Sequence, residues 1–165
     1  MSGRGRAAVV AIVISLVVVT GAALAAPVAV LTIRGDAMEI VAPLDQGEGL
    51  TYSYRQSIYD VPVYEEFVRD ANTLAMRGVR SPDIRSIEYF RWDGAIVRDE
   101  RGLWREDAPP PTAHRELVIR IATAGQQRFS TARWSYELLP LFGDGVVTVR
   151  LDQRPFAIAW LQSPR

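Results

Sequence analysis

An uncharged run near the N terminus constrains this chain more than any other feature. From Ala7 to Ile33, 27 consecutive positions carry no charged side chain. As a helix rising about 1.5 Å per residue, the run would be roughly 40 Å long, which exceeds the ~30 Å hydrocarbon core of a bilayer. Arg4 and Arg6 precede it as a positive flank. We therefore expect a membrane-spanning or signal segment rather than a buried helix of a cytosolic protein.

Two fates fit this segment. The small residues of Ala23-Leu24-Ala25 match a signal-peptidase site, so cleavage near Ala25 would release the remaining chain into the periplasm. Alternatively, residues 7–25 are long enough to stay in the bacterial inner membrane as a single-pass anchor, and this is the fate we favour. The positive end stays cytoplasmic in both cases. The sequence thus predicts a signal or anchor over residues 1–27 and an extracytoplasmic domain over residues 28–165.

The composition excludes several classes of function. The 19 basic and 19 acidic side chains give no net charge, so the basic excess of a nucleic-acid-binding protein is missing. The chain has no Cys, which excludes disulfide scaffolds and thiol catalysis. Every basic residue is Arg, which also excludes a Schiff-base lysine and a P-loop lysine. We expect no nucleic-acid partner.

Catalytic and metal-binding patterns are also missing from the sequence. The single histidine, His114, follows Pro109-Pro110-Pro111 and is expected to lie exposed in a loop. No serine has the surroundings of a nucleophile elbow, so a Ser-His-Asp triad is not expected. No cluster of His, Asp and Glu has metal-ligand spacing, and no glycine-rich phosphate loop occurs. We expect neither an enzyme nor a bound metal or cofactor.

Short β-branched and aromatic segments, separated by turn residues at intervals of roughly 8 to 12 positions, predict an all-β fold. We expect an antiparallel sandwich or a partly open barrel after the N-terminal hydrophobic helix. A hairpin through Asp93-Gly94 is expected to join Ile87–Trp92 to Ala95–Val97. Residues Glu66–Met76 also allow a helix. The other predicted strands are Val28–Ile33, Met38–Leu44, Gly49–Ser57, Val61–Arg69, Leu117–Thr123, Trp134–Leu139 and Val146–Leu151.

The candidate site lies in the tyrosine-rich segment Thr51–Phe67. Alternation places Tyr54 and Gln56 on one face of the first strand, and Glu65 can share that face if the next strand pairs with it. Aromatic walls with a few polar groups can hold a small polar ligand. The candidate binding residues are Tyr54, Arg55, Gln56, Ser57 and Glu65. The alternative is purely structural, with a polar outer face and a buried, hydrogen-bonded Gln56–Glu65 pair.

The same segment resembles a bacterial protein family of unknown function. Its members are small, have an N-terminal hydrophobic segment, and are often encoded beside the fused permease of tripartite ATP-independent periplasmic (TRAP/TAXI-type) transporters. The family usually has His-Ser-Val where this chain has Gln56-Ser57-Ile58, so a titratable side chain is replaced by one that only donates and accepts hydrogen bonds. Ser81–Glu88 stands where the family has a Gly-Ala-Gly element. The resemblance rests on Gln56-Ser-Ile, Pro62-Val, Glu65 and Phe67, preceded by Pro43-Leu, Gly47 and the Tyr52/Tyr54 strand.

This resemblance implies a transport-associated extracytoplasmic module with no known reaction. We expect a non-enzymatic accessory of a TRAP-type secondary solute transporter that uses its Tyr54–Phe67 face to contact the permease, the solute-binding protein or the solute. The alternative is a free periplasmic module that binds a small anionic ligand through Arg55 and other arginines. A hydrolase based on Glu65 and Glu66 is disfavoured, because adjacent strand residues point to opposite faces.

Overall fold

The apolar N-terminal segment is helical where it can be described. The computed structural model describes residues 12–13, 15–21, 24–109 and 112–162, and residues 12–13, 15–21 and 24–25 are helical. Apolar side chains there stay exposed, among them Ile12 (67%) and Val19 (66%). Within the described residues, no helix combines the length and the apolarity needed to cross a membrane. The arginine flank at Arg4 and Arg6, residues 7–11, and Ala23 of the predicted cleavage motif lie outside the described residues.

Twelve strands form the rest of the described chain, together with three short helices, so the all-β prediction is confirmed. The helices are α1 (Ile84–Glu88), α2 (Leu138–Phe142) and α3 (Phe156–Gln162), and a 3-10 turn spans Thr123–Gly125. The strands are β1 (Pro27–Arg34), β2 (Glu39–Pro43), β3 (Gly49–Gln56), β4 (Val61–Asp70), β5 (Thr73–Ser81), β6 (Val97–Arg98), β7 (Trp104–Asp107), β8 (Ala113–His114), β9 (Glu116–Ile121), β10 (Arg128–Ser130), β11 (Ser135–Glu137) and β12 (Gly145–Pro155).

The strands build two antiparallel sheets. The small sheet has the order β2-β1-β12-β9, and the large sheet has the order β11-β10-β3-β4-β5-β7-β6, with β8 paired to β5. Alternate side chains of both sheets meet in one core that includes Leu31, Ile33, Phe67, Phe129 and Val149. Each sheet keeps two edge strands in the described part of the chain, so the arrangement is a sandwich rather than a closed barrel.

A second, smaller core lies under α1, on the half of the large sheet that extends past the small one. It contains Val63, Val79 and Ile87, with Tyr54 and Trp104 packed against it. A β-bulge separates the two halves, because Glu66 pairs with Gly78 and Phe67 with Met76, which leaves the intervening residue of β5 unopposed. Gly78 is required by packing, since a Cβ there would lie 2.7 Å from the backbone oxygen of Glu106.

Two predictions for the segment that follows β5 are wrong, namely the strand Ile87–Trp92 and the hairpin through Asp93-Gly94. Residues Ile87–Trp92 do not form a strand, because Asp83 caps α1 by accepting a hydrogen bond from the backbone N–H of Arg85 (3.0 Å). The hairpin in this region joins β6 to β7 instead, and the N–H of Gly102 closes its turn on the carbonyl of Asp99 (3.0 Å).

Three smaller boundaries also differ from the predictions. The helical alternative for Glu66–Met76 is wrong, because these residues lie in β4, in β5 and in the turn between them. Only Ser135–Glu137 of the predicted Trp134–Leu139 strand is extended, and α2 begins directly after it. The predicted strand Leu117–Thr123 ends at Ile121.

Candidate functional site

The β3–β4 hairpin separates the predicted site residues onto two faces of the large sheet. Its register sets Tyr54 opposite Val63 and Tyr52 opposite Glu65, so Tyr54, Gln56 and Glu65 share the inner face, as the alternation predicted. Arg55 lies on the outer face. Ser57 is exposed in the turn that follows β3. The five predicted residues therefore do not line one pocket.

Glu65 is an acid without a cation on the inner face. It lies half-buried beside the rings of Tyr52 and Tyr54, whose centroids are 5.2 Å apart. Burial raises the pKa of Glu65, and a hydrogen bond from the Tyr54 hydroxyl partly opposes that rise. Burial also raises the pKa of both tyrosines, and the charge of Glu65 adds to it. No Arg or His side chain forms an ion pair with Glu65 in the described part of the chain.

Gln56 does not form the predicted pair with Glu65. Gln56 lies opposite Val61, four positions along β4 from Glu65, which is a separation of about 13 Å along the strand. Its side chain is 7% exposed, and its Oε1 atom has no hydrogen-bond partner among the described residues. The predicted hydrogen-bonded pair of Gln56 and Glu65 is therefore wrong, although both residues face the interior.

Sequence reasoning missed a second buried acid on the same face. The cross-strand row that starts at Tyr52 and Glu65 continues through Val79 to Glu106 of β7. Glu106 is 1% exposed, and its Oε1 accepts a hydrogen bond from the backbone N–H of Gly94 (3.0 Å) while its Oε2 has no partner among the described residues. Burial raises the pKa of Glu106. The inner face thus holds two poorly solvated carboxyl groups.

The outer face carries a cleft of about 520 Å³, and the predicted site residues Tyr54 and Arg55 are among the residues that line it. At its centre, Ser53 lies opposite Arg128 on one side and opposite Tyr64 on the other. Arg55 lines the same cleft, two positions further along β3. The 3-10 turn and α2 close the remaining side through Thr123, Gln126, Gln127, Leu139 and Pro140. The sequence analysis found Arg55 but not Arg128, because their proximity depends on the pairing of β10 with β3.

Both arginines of the cleft already hold a carboxylate. Arg55 Nη2 lies 2.7 Å from Oδ2 of Asp60, and this contact raises the pKa of Arg55 and lowers that of Asp60. Arg128 pairs with Glu137 across the β10–β11 ladder. All four side chains are at least a third exposed, so solvent screens both pairs. A carboxylate from solution can therefore compete for either guanidinium.

Glu65 and Glu66 point to opposite faces of β4, as the sequence predicted. Glu66 lies on the outer face, where it pairs with Arg80 and lies 4.0 Å from Arg105 Nη1. Arg80 also reaches Asp99, at 3.4 Å. The two neighbouring acids therefore cannot act as an acid–base pair on one bound substrate.

His114 is not an exposed loop residue, which corrects the prediction for it. It ends the short strand β8, opposite Leu74 of β5, and is half-buried. Its ring meets the ring of Phe67 edge-on, with centroids 6.1 Å apart. Within the described residues, no group of three His, Asp or Glu side chains is placed to hold a metal ion.

Comparison with known proteins gives no relative for this chain. No family model, no curated protein and no solved structure matches it.

Proposed function

We propose that the chain is a non-enzymatic extracytoplasmic accessory of a TRAP-type secondary solute transporter, anchored in the bacterial inner membrane through residues 7–25. The observation that supports the anchor most is the exposure of the N-terminal apolar side chains. Ile12, Leu16 and Val19 are each about two-thirds exposed, while the β domain fills its core from other residues. A contiguous apolar surface of this kind needs a membrane or a partner. The resemblance in Thr51–Phe67 supports the link to transport.

Contact with the transporter is assigned to the outer face of the large sheet. The sequence predicts this role for the whole Tyr54–Phe67 segment, but Phe67 and Gln56 are buried on the inner face. Ser53, Tyr64 and Arg55 line the outer cleft and are reachable from solution. The proposed contact with the transporter therefore still uses the β3–β4 hairpin, but through the side chains on its outer face.

Site-specific photo-crosslinking in intact cells tests the transporter contact. A photoreactive residue at Tyr64, inside the cleft, is expected to capture a permease or solute-binding subunit. The same probe at Glu100, an exposed position in the β6–β7 turn, is the control and is expected to capture neither. Absence of any transporter component from the Tyr64 probe would refute the proposed role.

Membrane extraction tests the anchor separately. Val18 is 63% exposed in the helical segment. A charge at the centre of a spanning helix costs about 2.5 to 3.5 kcal/mol on insertion scales, so Val18→Arg is expected to move the C-terminally tagged chain out of the alkali-resistant membrane fraction. Val18→Leu is the matched control and should stay there. Equal membrane retention of both variants would contradict anchoring through this segment.

A second candidate function, a module that binds a small carboxylate, is favoured by the two arginines of the cleft. Arg128 lies opposite Ser53 and Arg55 lies two positions along β3, so their Cα atoms are diagonal neighbours roughly 7 to 8 Å apart. Guanidinium groups bind carboxylates in a bidentate manner, and Ser53 and Tyr64 line the same cleft. This arrangement suits a small anion better than a neutral solute.

Thermal-shift measurements against a panel of small carboxylates at constant ionic strength test this candidate. An anion that binds in the cleft is expected to raise Tm, and Arg55→Ala and Arg128→Ala are each expected to abolish the shift. Arg34→Ala is the control, because Arg34 pairs with Glu39 outside the cleft and is similarly exposed. A shift that survives in both cleft variants would place the anion elsewhere and reject this function.

A further inference from the structure

A groove of about 270 Å³ lies between β9 and the inner face of the β3–β4 hairpin. It opens to solvent beside Val118, whose side chain is 67% exposed. The groove combines aromatic, aliphatic and acidic side chains, namely Tyr52, Tyr54, Glu65, Leu117 and Ile119. A lining of this composition is typical of sites that bind small molecules.

Glu65 differs from every other half-buried acid in the part of the chain that the structure describes, because it has no arginine partner. The others each form an ion pair with an arginine, namely Glu39, Glu48, Glu66, Asp83, Asp99 and Asp152. The carboxyl group of Glu65 receives one hydrogen bond from the described residues, from the Tyr54 hydroxyl. A half-buried carboxylate is stabilised by a cation, so Glu65 leaves a place for a positively charged group in the groove.

Arg120 does not fill that place. Among the described residues that line the groove, Arg120 alone is basic. Its side chain is 73% exposed and holds Asp144 at 3.2 Å, and it points away from the core, opposite to the side chain of Ile119. The Arg120–Asp144 pair adds little net charge to the groove, so the carboxylate of Glu65 sets its sign.

Tyrosine rings surround the carboxylate of Glu65. Tyr52 lies directly opposite Glu65 in the β3–β4 ladder, and its ring centroid is 5.2 Å from that of Tyr54. Burial, Glu65, Tyr52 and, to a smaller extent, Tyr89 raise the pKa of Tyr54, so Tyr89 lies near the same hydroxyl. Aromatic faces attract cations, and an ammonium group beside this carboxylate would therefore be stabilised by the rings as well.

The groove favours a protonated alkylamine over a metal ion or a neutral molecule. A hard metal ion needs several oxygen ligands, and no three acidic or histidine side chains of the described residues are grouped to supply them. A primary ammonium group carries three N–H donors, which the Glu65 carboxylate can accept. The alkyl chain of such a ligand can lie against Leu117 and Ile119. A neutral molecule would leave the charge of Glu65 uncompensated.

We propose that the groove between β9 and the inner face of the β3–β4 hairpin binds a small protonated alkylamine. The ammonium group donates hydrogen bonds to Glu65 beside the rings of Tyr52 and Tyr54, and the alkyl chain packs against Leu117 and Ile119. This inference does not rest on the proposed transport role. Its ligand also has the opposite charge to the carboxylate considered for the cleft on the outer face.

Thermal-shift measurements on the detergent-solubilised full chain test the groove, with n-butylammonium as the probe. At constant ionic strength, n-butylammonium is expected to raise Tm in a saturable manner, because a ligand that binds only the folded state stabilises it. Two controls separate the charge from the alkyl chain. Sodium ion carries the charge alone and n-butanol carries the alkyl chain alone, and neither is expected to reproduce the shift.

Glu65→Gln tests whether the carboxylate binds the probe. Gln keeps the size of the side chain and still accepts the Tyr54 hydrogen bond, so the variant is expected to fold and to bind n-butylammonium about tenfold more weakly. Glu66→Gln, on the outer face of the same strand, is the matched control and should bind n-butylammonium as the natural chain does. Absence of a shift in the natural chain, or an undiminished shift in Glu65→Gln, overturns the proposal. An equal shift with n-butanol also overturns it, because the groove would then bind only the alkyl chain.

Discussion

The inner and outer faces of the β3–β4 hairpin differ in whether their charged side chains form ion pairs. On the inner face, Glu65 pairs with no cation among the residues that the structure describes, and it lies against two tyrosine rings. On the outer face, the next residue, Glu66, is held by Arg80, and Arg55 is held by Asp60. The basic residues of this chain are all arginines, whose long, always charged side chains reach the surface and pair there. Acids on the inner face have only hydrogen bonds to offset their burial.

The difference shows that the two faces have different tasks. The inner face gives the domain its core, and its carboxyl groups are shifted toward the neutral form by burial. On the outer face, the charged groups of the cleft stay exchangeable, because the Arg55–Asp60 and Arg128–Glu137 pairs are exposed. The proposed recognition of a transporter or a small carboxylate therefore uses the outer face, while substitutions on the inner face are expected to act on stability first.

The largest effect is expected from removal of an inner-face aromatic. Phe129 is fully buried, and its ring centroid lies 4.9 Å from that of Tyr52. Phe129→Ala is expected to lower the free energy of unfolding by about 3 to 5 kcal/mol, because a large cavity remains. Urea denaturation followed by tryptophan fluorescence measures this loss. Tyr64→Ala, on the outer face, is the control and should cost much less; equal losses would contradict the division between the two faces.

An intermediate effect is expected at Arg80, the most enclosed arginine of the outer face. Its side chain is 15% exposed and faces both Glu66 and Asp99. Arg80→Ala removes the guanidinium that faces both carboxylates and leaves Glu66 only its 4.0 Å contact with Arg105 Nη1, so we expect a loss of about 2 kcal/mol in the free energy of unfolding. Arg55→Ala is the matched control, and its expected loss is much smaller, since its ion pair with Asp60 is exposed. Similar losses in the two variants would show that exposure does not set the value of these pairs.

The smallest effect, with the opposite sign, is expected at Glu65. Its pKa is raised by burial, so the folded state keeps its proton more readily than the unfolded state does, and stability falls as pH rises from the ordinary Glu pKa through the raised one. Glu65→Gln still accepts a hydrogen bond from Tyr54. It is expected to be more stable than the natural chain by about 1 kcal/mol at pH 7. The two should become equal below about pH 4, where the carboxyl is protonated in both states.

Chemical denaturation at several pH values measures this difference. The matched control is Glu66→Gln, one residue away, which removes a paired charge and is expected to lower stability at pH 7. A Glu65→Gln variant less stable than the natural chain at pH 7 would mean that its carboxylate is stabilised by a contact other than the Tyr54 hydrogen bond.

Local alternation predicted the parts of the fold that lie close together in sequence. The register of β3 against β4 follows from the period of two in Tyr52, Tyr54, Val63 and Glu65, and the β1–β2 hairpin follows from the short gap between the predicted strands Val28–Ile33 and Met38–Leu44. The Asp93-Gly94 pair is a strong hairpin signal, but it does not form a hairpin here. In the fold, the Gly94 N–H instead binds Glu106.

The helix α1 and the outer cleft were missed for different reasons. Pro82-Asp83 is a helix-start signal, since Asp is a preferred N-cap, but the apolar and aromatic residues of Ile87–Trp92 predict a strand. The cleft could not be found from local pattern, because Arg128 reaches Ser53 only through pairing of strands some 75 positions apart in sequence. Glu106 was missed because its inward orientation depends on pairing with Val79.

Tyr54 belongs to both hydrophobic cores, one between the sheets and one under α1. The β-bulge opposite Phe67 otherwise divides the large sheet between them. The Tyr54 ring thus packs against both cores, and loss of packing in one core removes packing contacts of the other. The two halves are therefore expected to exchange their backbone amides through common opening events, as a single cooperative unit rather than as two independently fluctuating ones.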